Sequence, residues 1–169
     1  MLVIGCSGSG KSTLSRALSG ALGLPYISMD REFFWMPGWR LRERAEIRQM
    51  IAEAAAGERW IMDGTSPGTL DLRLPRADLV VWMRMPRHLC LARVLKRRLQ
   101  YSGKSRPEMA EGCPERIDME FLRYIWNFER TESPEIMQAL EACNPPVPLL
   151  TLRTPAETAA VLAQLKIAV

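Results

Sequence analysis

The sequence predicts an α/β fold in which a parallel sheet carries helices on both faces. Five short apolar segments alternate with stretches of helical periodicity, and this alternation is typical of parallel sheets. One segment, 79–83, is apolar at every position, as expected for a strand that is buried on both faces. The length of 169 residues suits one domain with a sizeable core, so we predict a single domain over 1–169.

A glycine-rich loop, G-C-S-G-S-G-K-S-T at 5–13, lies between the first strand and the first helix. Every fixed position of the phosphate-binding pattern G-x-x-x-x-G-K-[ST] is present, with an apolar run at 2–4 before it and a helical segment after it. Glycines let successive backbone N–H groups surround a phosphate, and the helix start adds donors and partial positive charge. The loop therefore predicts a site for a nucleoside triphosphate. A dinucleotide-binding loop is excluded, because it needs glycine where Thr13 stands.

Individual roles within this loop follow from the pattern. Lys11 is expected to reach the β- and γ-phosphates, and the Ser12 hydroxyl is expected to bind Mg²⁺. Lys11 is therefore also a candidate catalytic residue. The candidate ATP-binding residues of the loop are Gly5, Ser7, Gly8, Ser9, Gly10, Lys11, Ser12 and Thr13.

The remaining elements follow from apolar periodicity and from turn residues. Further strands are predicted at 24–30, 60–64, 79–83 and 147–152. Helices are predicted at 12–22, 42–56, 87–100, 117–128 and 134–142, with a terminal helix opening at a capping box, 154–157. Ser133 and Pro134 have the residue types that begin helices, which is why 117–128 and 134–142 are predicted as two helices.

Two acids stand at the carboxyl ends of predicted strands, where such sheets bind ligands. Asp63 suits an outer-shell contact to Mg²⁺; alternatively, Asp63 and Gly64 form an ordinary turn. Asp30 suits an acceptor anchor, a general base or a contact to metal-bound water, and the structural alternative is a capping aspartate.

An aromatic stretch at 33–39 follows Asp30. Trp35 and Trp39 are candidates to line an acceptor pocket; alternatively, the stretch forms a hydrophobic cluster that holds a lid over the sheet. Farther along, 79–107 contains basic residues and no acidic residue. Arginines gathered around a triphosphate are the favoured interpretation, ahead of a nucleic-acid surface or a solvated helix face.

Composition limits the class of protein. A net charge of +4 with 47% hydrophobic residues is ordinary for a globular protein, and the apolar runs are too short to span a bilayer. The four cysteines lack the spacing of a disulfide framework or a zinc site. We therefore expect reduced thiols in a cytoplasmic protein that has no membrane partner, and its oligomeric state is left open.

The chain resembles the small P-loop proteins known as DNA topology modulation proteins, a branch of the adenylate-kinase-like group. The resemblance runs nearly end to end. It is carried by the loop at 5–13 and by D-R-E-F-F-W-M-P-G-W (30–39), W-I-M-D-G (60–64), P-R-H-L-C-L-A-R (86–93) and G-K-S-R-P-E-M-A-E-G-C-P-E-R-I-D (103–118).

This resemblance implies a P-loop NTPase core of the nucleoside monophosphate kinase kind. Such a core has three α/β/α layers, a five-stranded parallel sheet in the order 2-3-1-4-5, an acceptor-binding insert (30–59) and a lid (100–116). Asp63 and Gly64 match the acid–glycine pair of the third strand. Arg93 and Arg97 match the two arginines that enter the lid and meet ATP, and Arg106 is a further candidate lid arginine.

The leading hypothesis is a kinase that moves the ATP γ-phosphate to a nucleotide or another small-molecule acceptor, with Mg²⁺ as cofactor. The candidate catalytic residues are Lys11, Asp30, Arg93 and Arg97. The candidate acceptor-binding residues are Asp30, Trp35, Trp39, Asp63 and Gly64. The insert is short and aromatic and lacks the base-binding pattern of adenylate kinases, so AMP is not the expected acceptor. The alternative is a regulatory ATPase or a nucleic-acid-associated NTPase that has no small-molecule acceptor.

Overall fold

A parallel sheet of five strands forms the centre of the fold. The computed structural model describes residues 1–101, 103 and 107–167, with side chains described up to 164. The strands are β1 (Leu2–Gly5), β2 (Tyr26–Ser28), β3 (Trp35–Met36), β4 (Arg40–Leu41), β5 (Ile61–Asp63), β6 (Val80–Met83) and β7 (Leu149–Leu152). The helices are α1 (Lys11–Leu22), α2 (Arg44–Ala55), α3 (Leu70–Arg73), α4 (Arg87–Gln100), α5 (Met119–Ala142) and α6 (Pro155–Ile167).

The strand order is β2-β5-β1-β6-β7, and neighbouring strands are parallel. With the short antiparallel hairpin β3–β4 set aside, this is the predicted order 2-3-1-4-5. β1 is central, with Val3 opposite Asp63 of β5 and opposite Val81 of β6. All four residues of β1 and of β6 are buried, as the unbroken apolar pattern predicts.

Helices cover both faces of the sheet, which confirms the predicted α/β class. α1 packs against β1, β5 and α6, while α2 packs against α3, and α4 against α5. Gly23 ends α1 in a left-handed conformation at φ 60°, as its position after the helix predicts. The capping box of α6 is also confirmed, because the Glu157 N–H donates to Thr154 Oγ1 at 3.1 Å.

The two helices predicted at 117–128 and 134–142 are wrong: they form the single helix α5, with Pro134 in its interior. Proline removes one helical hydrogen bond at a cost of roughly 3 kcal/mol. Buried side chains on either side of Pro134, among them Phe128 and Ile136, belong to the same hydrophobic core. Their shared burial outweighs the local cost, so Ser133 lies inside the helix and does not cap it.

The second strand is shorter than the predicted 24–30, since it ends at Ser28 and a π-helical turn covers Asp30–Phe34. Asp30 therefore stands at the start of this turn, immediately beyond the carboxyl end of the strand. Among the described residues, no helix combines the length and the apolar character needed to cross a membrane.

Candidate functional site

The loop at 5–13 has a shape that its glycines make possible. Gly5 and Gly10 adopt φ values of 142° and 102°, which residues with a Cβ atom rarely adopt. A Cβ on Gly5 would collide with the carbonyl oxygen of Met83, and one on Gly8 with that of Cys90. The loop therefore lies directly against the end of β6 and the first turn of α4.

Side-chain hydrogen bonds to its backbone hold this loop in its conformation. Thr65 Oγ1 accepts from the Gly5 N–H at 2.9 Å and donates to the Gly5 carbonyl at 2.7 Å. Lys11 Nζ donates to the Cys6 carbonyl at 2.9 Å, and an Arg93 guanidinium nitrogen donates to the Ser9 carbonyl at 2.9 Å. Lys11 and Arg93 therefore both contact the backbone of the loop that the sequence identified.

Asp63 is a buried carboxylate close to the loop. Tyr26 donates to its Oδ2 at 3.0 Å. Burial raises the pKa of Asp63 above its usual value, while the Lys11 charge and hydrogen bonds from Ser12 and Tyr26 act in the opposite direction. Burial, together with the charge and the hydrogen bond of Asp63, raises the pKa of Tyr26, so its hydroxyl stays protonated at neutral pH.

These residues fit a magnesium ion. Mg²⁺ prefers oxygen ligands, keeps several waters and commonly takes only one or two protein carboxylates beside substrate phosphates. The Ser12 hydroxyl and the Asp63 carboxylate supply such oxygens in the lining of the same cavity. The described residues contain no cluster of three or more His, Cys, Asp or Glu side chains that could bind a metal without phosphate oxygens.

Arg73 is a site residue that the sequence analysis missed. Its side chain is completely buried, and it donates to the carbonyls of Gly64 at 2.7 Å and of Ser66 at 3.0 Å, as well as to those of Thr65 and Thr69. Burial lowers its pKa to about 9, so the guanidinium is still charged at neutral pH. Arg73 thereby holds the turn that follows Asp63, and no local sequence pattern announces an arginine used in this way.

On the opposite side of the site, the hairpin 35–41 and the segment 107–116 pack together into one unit, here called the cap. Trp35 and Trp39 contact each other edge to face, with ring centroids 5.1 Å apart. Buried apolar side chains from the second segment pack against both rings. They are Met109, Ala110 and Cys113.

Polar contacts also join the two segments of the cap. The Gly38 N–H donates to the Gly112 carbonyl at 3.1 Å, and the Trp39 indole donates to the Pro114 carbonyl at 3.1 Å. The Arg116 guanidinium lies 4.4 Å from the centre of the Trp39 ring. Trp39 adopts a positive φ of 60°, an unfavourable conformation for an aromatic residue that these contacts maintain.

Two carboxylates seat the cap on the core. Glu108 forms an ion pair with Arg16 of α1, and its carbonyl accepts from Ser28 Oγ at 2.9 Å. Glu115, whose side chain is only 2% exposed, pairs with Arg97 of α4 at 2.8 Å. The described part of the predicted lid, 107–116, therefore lies against the predicted insert and is anchored to the middle of α1 and to the last turns of α4.

The loop and the cap enclose one cavity of about 840 Å³. We call its two walls the loop side, formed by 7–13 with Arg93, and the cap side, formed by Asp30 and the cap. Nearly all predicted site residues line this cavity; Gly5, the first residue of the loop, is not part of the lining, and Arg106 is outside the described residues. The predicted residues that line it are Ser7, Gly8, Ser9, Gly10, Lys11, Ser12, Thr13, Asp30, Trp35, Trp39, Asp63, Gly64, Arg93 and Arg97.

The basic block divides between the cavity and other surfaces. Arg93 and Arg97 line the cavity. Arg84 instead pairs with Glu129 at 2.5 Å, and the Arg87 guanidinium lies 3.9 Å from the centre of the Trp126 ring.

No family model matches the chain. Over 103 residues the chain is 32% identical to the uncharacterized protein YqaC of Bacillus subtilis, covering 60% of this chain and 57% of that protein. Over 81 residues it is 31% identical to a cytidylate kinase of Streptomyces avermitilis, covering 47% of this chain and 35% of that enzyme. The matches thus span little more than half of one curated relative and about a third of the other.

Solved structures resemble the chain over almost its whole length. A shikimate kinase from Acinetobacter baumannii in complex with shikimate has a TM-score of 0.63 at 17% identity, covering 99% of this chain and 89% of that one. A shikimate kinase from Bacteroides thetaiotaomicron has a TM-score of 0.56 at 17% identity, covering 99% of this chain and 95% of that one. A gluconokinase from Sinorhizobium meliloti has a TM-score of 0.52 at 19% identity, covering 99% of this chain and 93% of that one. At these identities the likeness shows the fold, which is that of the small P-loop kinases.

Proposed function

We propose that this protein is a kinase that transfers the γ-phosphoryl group of ATP to a nucleotide or another small-molecule acceptor. One observation carries the proposal: a single cavity joins the phosphate-binding loop to a wall that contains Asp30 and two tryptophans. A switch that only hydrolyses ATP has no need for the second wall. The fold shared with shikimate kinases and a gluconokinase supports the same conclusion.

The loop side would bind the donor. Backbone N–H groups of 7–13 would surround the phosphates, and Lys11 would leave the Cys6 carbonyl to reach the β- and γ-phosphates. Arg93 and Arg97, on one face of α4, would neutralise charge that develops on the transferring group. Arg106 would join them from the lid.

Ser12 and Asp63 would hold Mg²⁺, which supplies charge neutralisation at the phosphates when it is bound. Tyr26 keeps the Asp63 carboxylate oriented through its hydrogen bond to Oδ2. Arg73 holds the turn at Gly64 by donating a hydrogen bond to the Gly64 carbonyl.

The cap side would bind the acceptor. Asp30, exposed just beyond the end of β2, would accept the proton of the acceptor's attacking hydroxyl group. The oxygen of that hydroxyl group would at the same time form a bond to the γ-phosphorus. The bond from that phosphorus to the β–γ bridging oxygen breaks, and ADP leaves with the electron pair. Trp35 and Trp39 would position the acceptor with their rings.

The proposal includes a single domain over 1–169, with the insert at 30–59 and the lid at 100–116. It also includes membership of the DNA topology modulation branch, supported by the motifs at 30–39 and 103–118. The cysteines, free and buried throughout, suit the reducing conditions of the cytoplasm.

The decisive experiment measures ADP release from Mg·ATP with a panel of nucleosides, nucleoside monophosphates, sugars and hydroxy acids. We expect one acceptor to accelerate release by at least about tenfold and to appear as a phosphorylated product. Acceptor-independent hydrolysis across the whole panel would instead indicate the regulatory ATPase or the nucleic-acid-associated NTPase.

Asp30→Asn tests the role of the cap side. We expect turnover to fall by roughly 10²- to 10³-fold with little change in ATP affinity, because a general base acts on the acceptor. Glu32→Gln, on the same turn and paired with Arg31, is the matched control and should change turnover little. Equal losses of turnover and of ATP affinity in Asp30→Asn would place Asp30 on the donor or its metal.

A further inference from the structure

We infer that the acceptor is an uncharged, hydroxyl-bearing small molecule with one flat or apolar face, and not a phosphomonoester. This inference rests on the proposed kinase function, because it concerns the cap side of the same cavity. It is drawn from the charges, the ion pairs and the aromatic rings of that wall.

Charged groups on the cap side favour an uncharged ligand. A phosphomonoester carries a charge of about −1.5 to −2 near neutral pH and is bound through several unneutralised cations. Around the cap, carboxylates outnumber guanidinium groups among the described residues that line the cavity. The carboxylates are those of Asp30, Glu108, Glu115 and Asp118, and the guanidinium groups are those of Arg16, Arg97 and Arg116.

Each of these arginines already has a partner that belongs to the structure of the cap. Arg16 pairs with Glu108, and Arg97 pairs with the buried Glu115. Taking one partner from an ion pair leaves the other charge uncompensated, which is unfavourable. A phosphomonoester that captured Arg16 would therefore leave Glu108 with reduced compensation, and it would also loosen the cap.

The third arginine is used differently. Arg116 lies over the Trp39 ring, and Trp35 contacts Trp39 edge to face. A guanidinium in this position stabilises the ring and its orientation. The other cations that line the cavity are Lys11 and Arg93, which contact backbone carbonyls of the loop side, and Lys96, an exposed residue of α4.

The remaining features of the cap side suit hydroxyl groups on a flat or apolar body. Trp35 and Trp39 are both partly exposed to the cavity, and such rings contact the apolar face of a sugar or a planar base. An ionised carboxylate accepts hydrogen bonds and does not donate them, so Asp30 selects hydroxyl groups over anions. Nucleosides and sugars share this chemistry.

Binding to the full-length chain tests the inference. Calorimetry would compare adenosine with AMP and glucose with glucose 6-phosphate, with the ATP site saturated by a non-hydrolysable ATP analogue and Mg²⁺. We expect the unphosphorylated member of at least one pair to bind about tenfold or more tightly than its phosphomonoester. The two pairs separate a nucleoside from a sugar. Tighter or equal binding of both phosphomonoesters, or binding of neither unphosphorylated compound, overturns the inference.

Glu108→Gln tests the charge argument directly, because it removes the carboxylate that neutralises Arg16. We expect the preference within a pair to shift by roughly fivefold or more toward AMP or glucose 6-phosphate, because a loss of cap seating weakens both members of a pair alike. Glu141→Gln, exposed on α5, is the control and should change neither affinity. An unchanged preference in Glu108→Gln contradicts the argument, and the wild-type comparison decides by itself if the variant does not fold.

Failure of this inference can be told apart from failure of the kinase proposal. Phosphoryl transfer to a phosphomonoester would support the kinase and overturn the acceptor class. Saturable binding of adenosine or glucose without any phosphorylated product would support the acceptor class and count against the kinase.

Discussion

The loop side and the cap side face each other across one cavity, but different kinds of contact hold them. On the loop side, backbone groups at the ends of β1, β5 and β6 and the left-handed glycines define the shape. On the cap side, a short hairpin and an irregular segment meet through indole rings and a few hydrogen bonds, and two ion pairs attach the irregular segment to α1 and α4. The loop side continues directly from a strand of the sheet, whereas the cap side is formed by segments outside the five-stranded sheet.

This difference separates the expected effects of mutation. Backbone geometry on the loop side persists when one side chain is removed, so a substitution there changes chemistry more than stability. The cap depends on side chains, so a substitution there should change its seating and the binding of the acceptor. Four variants test this division.

Lys11→Ala should have the largest effect. Removing one preorganised donor to a transition state lowers turnover by about 10²- to 10³-fold. Stability should change little, because the Lys11 side chain makes one partly buried hydrogen bond to the loop. Steady-state ADP release and thermal melting measure the two effects, with exposed Arg130→Ala as the control for lost positive charge. Retained ATP hydrolysis in Lys11→Ala would refute the assignment of the loop.

Asp63→Asn should lower turnover by roughly 10²-fold and yet raise the melting temperature near neutral pH. Burial raises the pKa of Asp63 in the folded protein, so its contribution to stability is fully present below the pKa of the unfolded chain. That contribution is lost as the pH rises through the raised folded pKa. The difference in melting temperature between variant and wild type, measured with a chelator, should therefore grow from acid to neutral pH.

Asp71→Asn is the matched control, for which the pH dependence of stability should have the opposite sign. The pKa of Asp71 is lowered by its hydrogen bonds with Arg48, at 2.6 and 3.2 Å. Its small surface contribution is present above the unfolded pKa and is lost as the pH falls. Parallel pH trends in the two variants would contradict the assigned environments.

Arg73→Met should lower the free energy of unfolding by about 3 kcal/mol, because it leaves several buried carbonyls without a donor. Urea unfolding measures this loss. Arg76→Met is the control, since Arg76 also donates to carbonyls, of Ala55 and Ala56, but from an exposed position. We expect less than about 1 kcal/mol from the control. Similar losses in both variants would show that the turn after Asp63 does not depend on Arg73.

Trp39→Leu should lower the free energy of unfolding by only about 1 kcal/mol, because the cap contributes little to the main core. Its effect should appear as a higher KM for the acceptor with unchanged ATP affinity, and as faster proteolysis within 107–116. Trp126→Leu, also partly exposed and stacked with Arg87, is the control and should leave the acceptor KM unchanged. A change in ATP affinity alone in Trp39→Leu would reject the division into two walls.

The sequence by itself determined most of the loop side. Residues 5–13 act locally, since a fixed spacing of Gly, Lys and Ser specifies both the backbone shape and the donor set. The unbroken apolar run at 79–83 also specified a buried strand, and the alternation of strands and helices specified a parallel sheet. Local chemistry was sufficient because each of these features depends on residues that are neighbours in the chain.

Only the tertiary structure decided the features that depend on distant residues. Pro134 lies within a helix because the core holds both flanking turns, and Arg73 is buried because Gly64 and Ser66 present carbonyls to it. The cap joins 35–41 to 107–116 across about seventy positions of sequence, through contacts such as that of Trp39 with Pro114. Such pairings gain their free energy from burial and hydrogen bonds between side chains that no local pattern brings together.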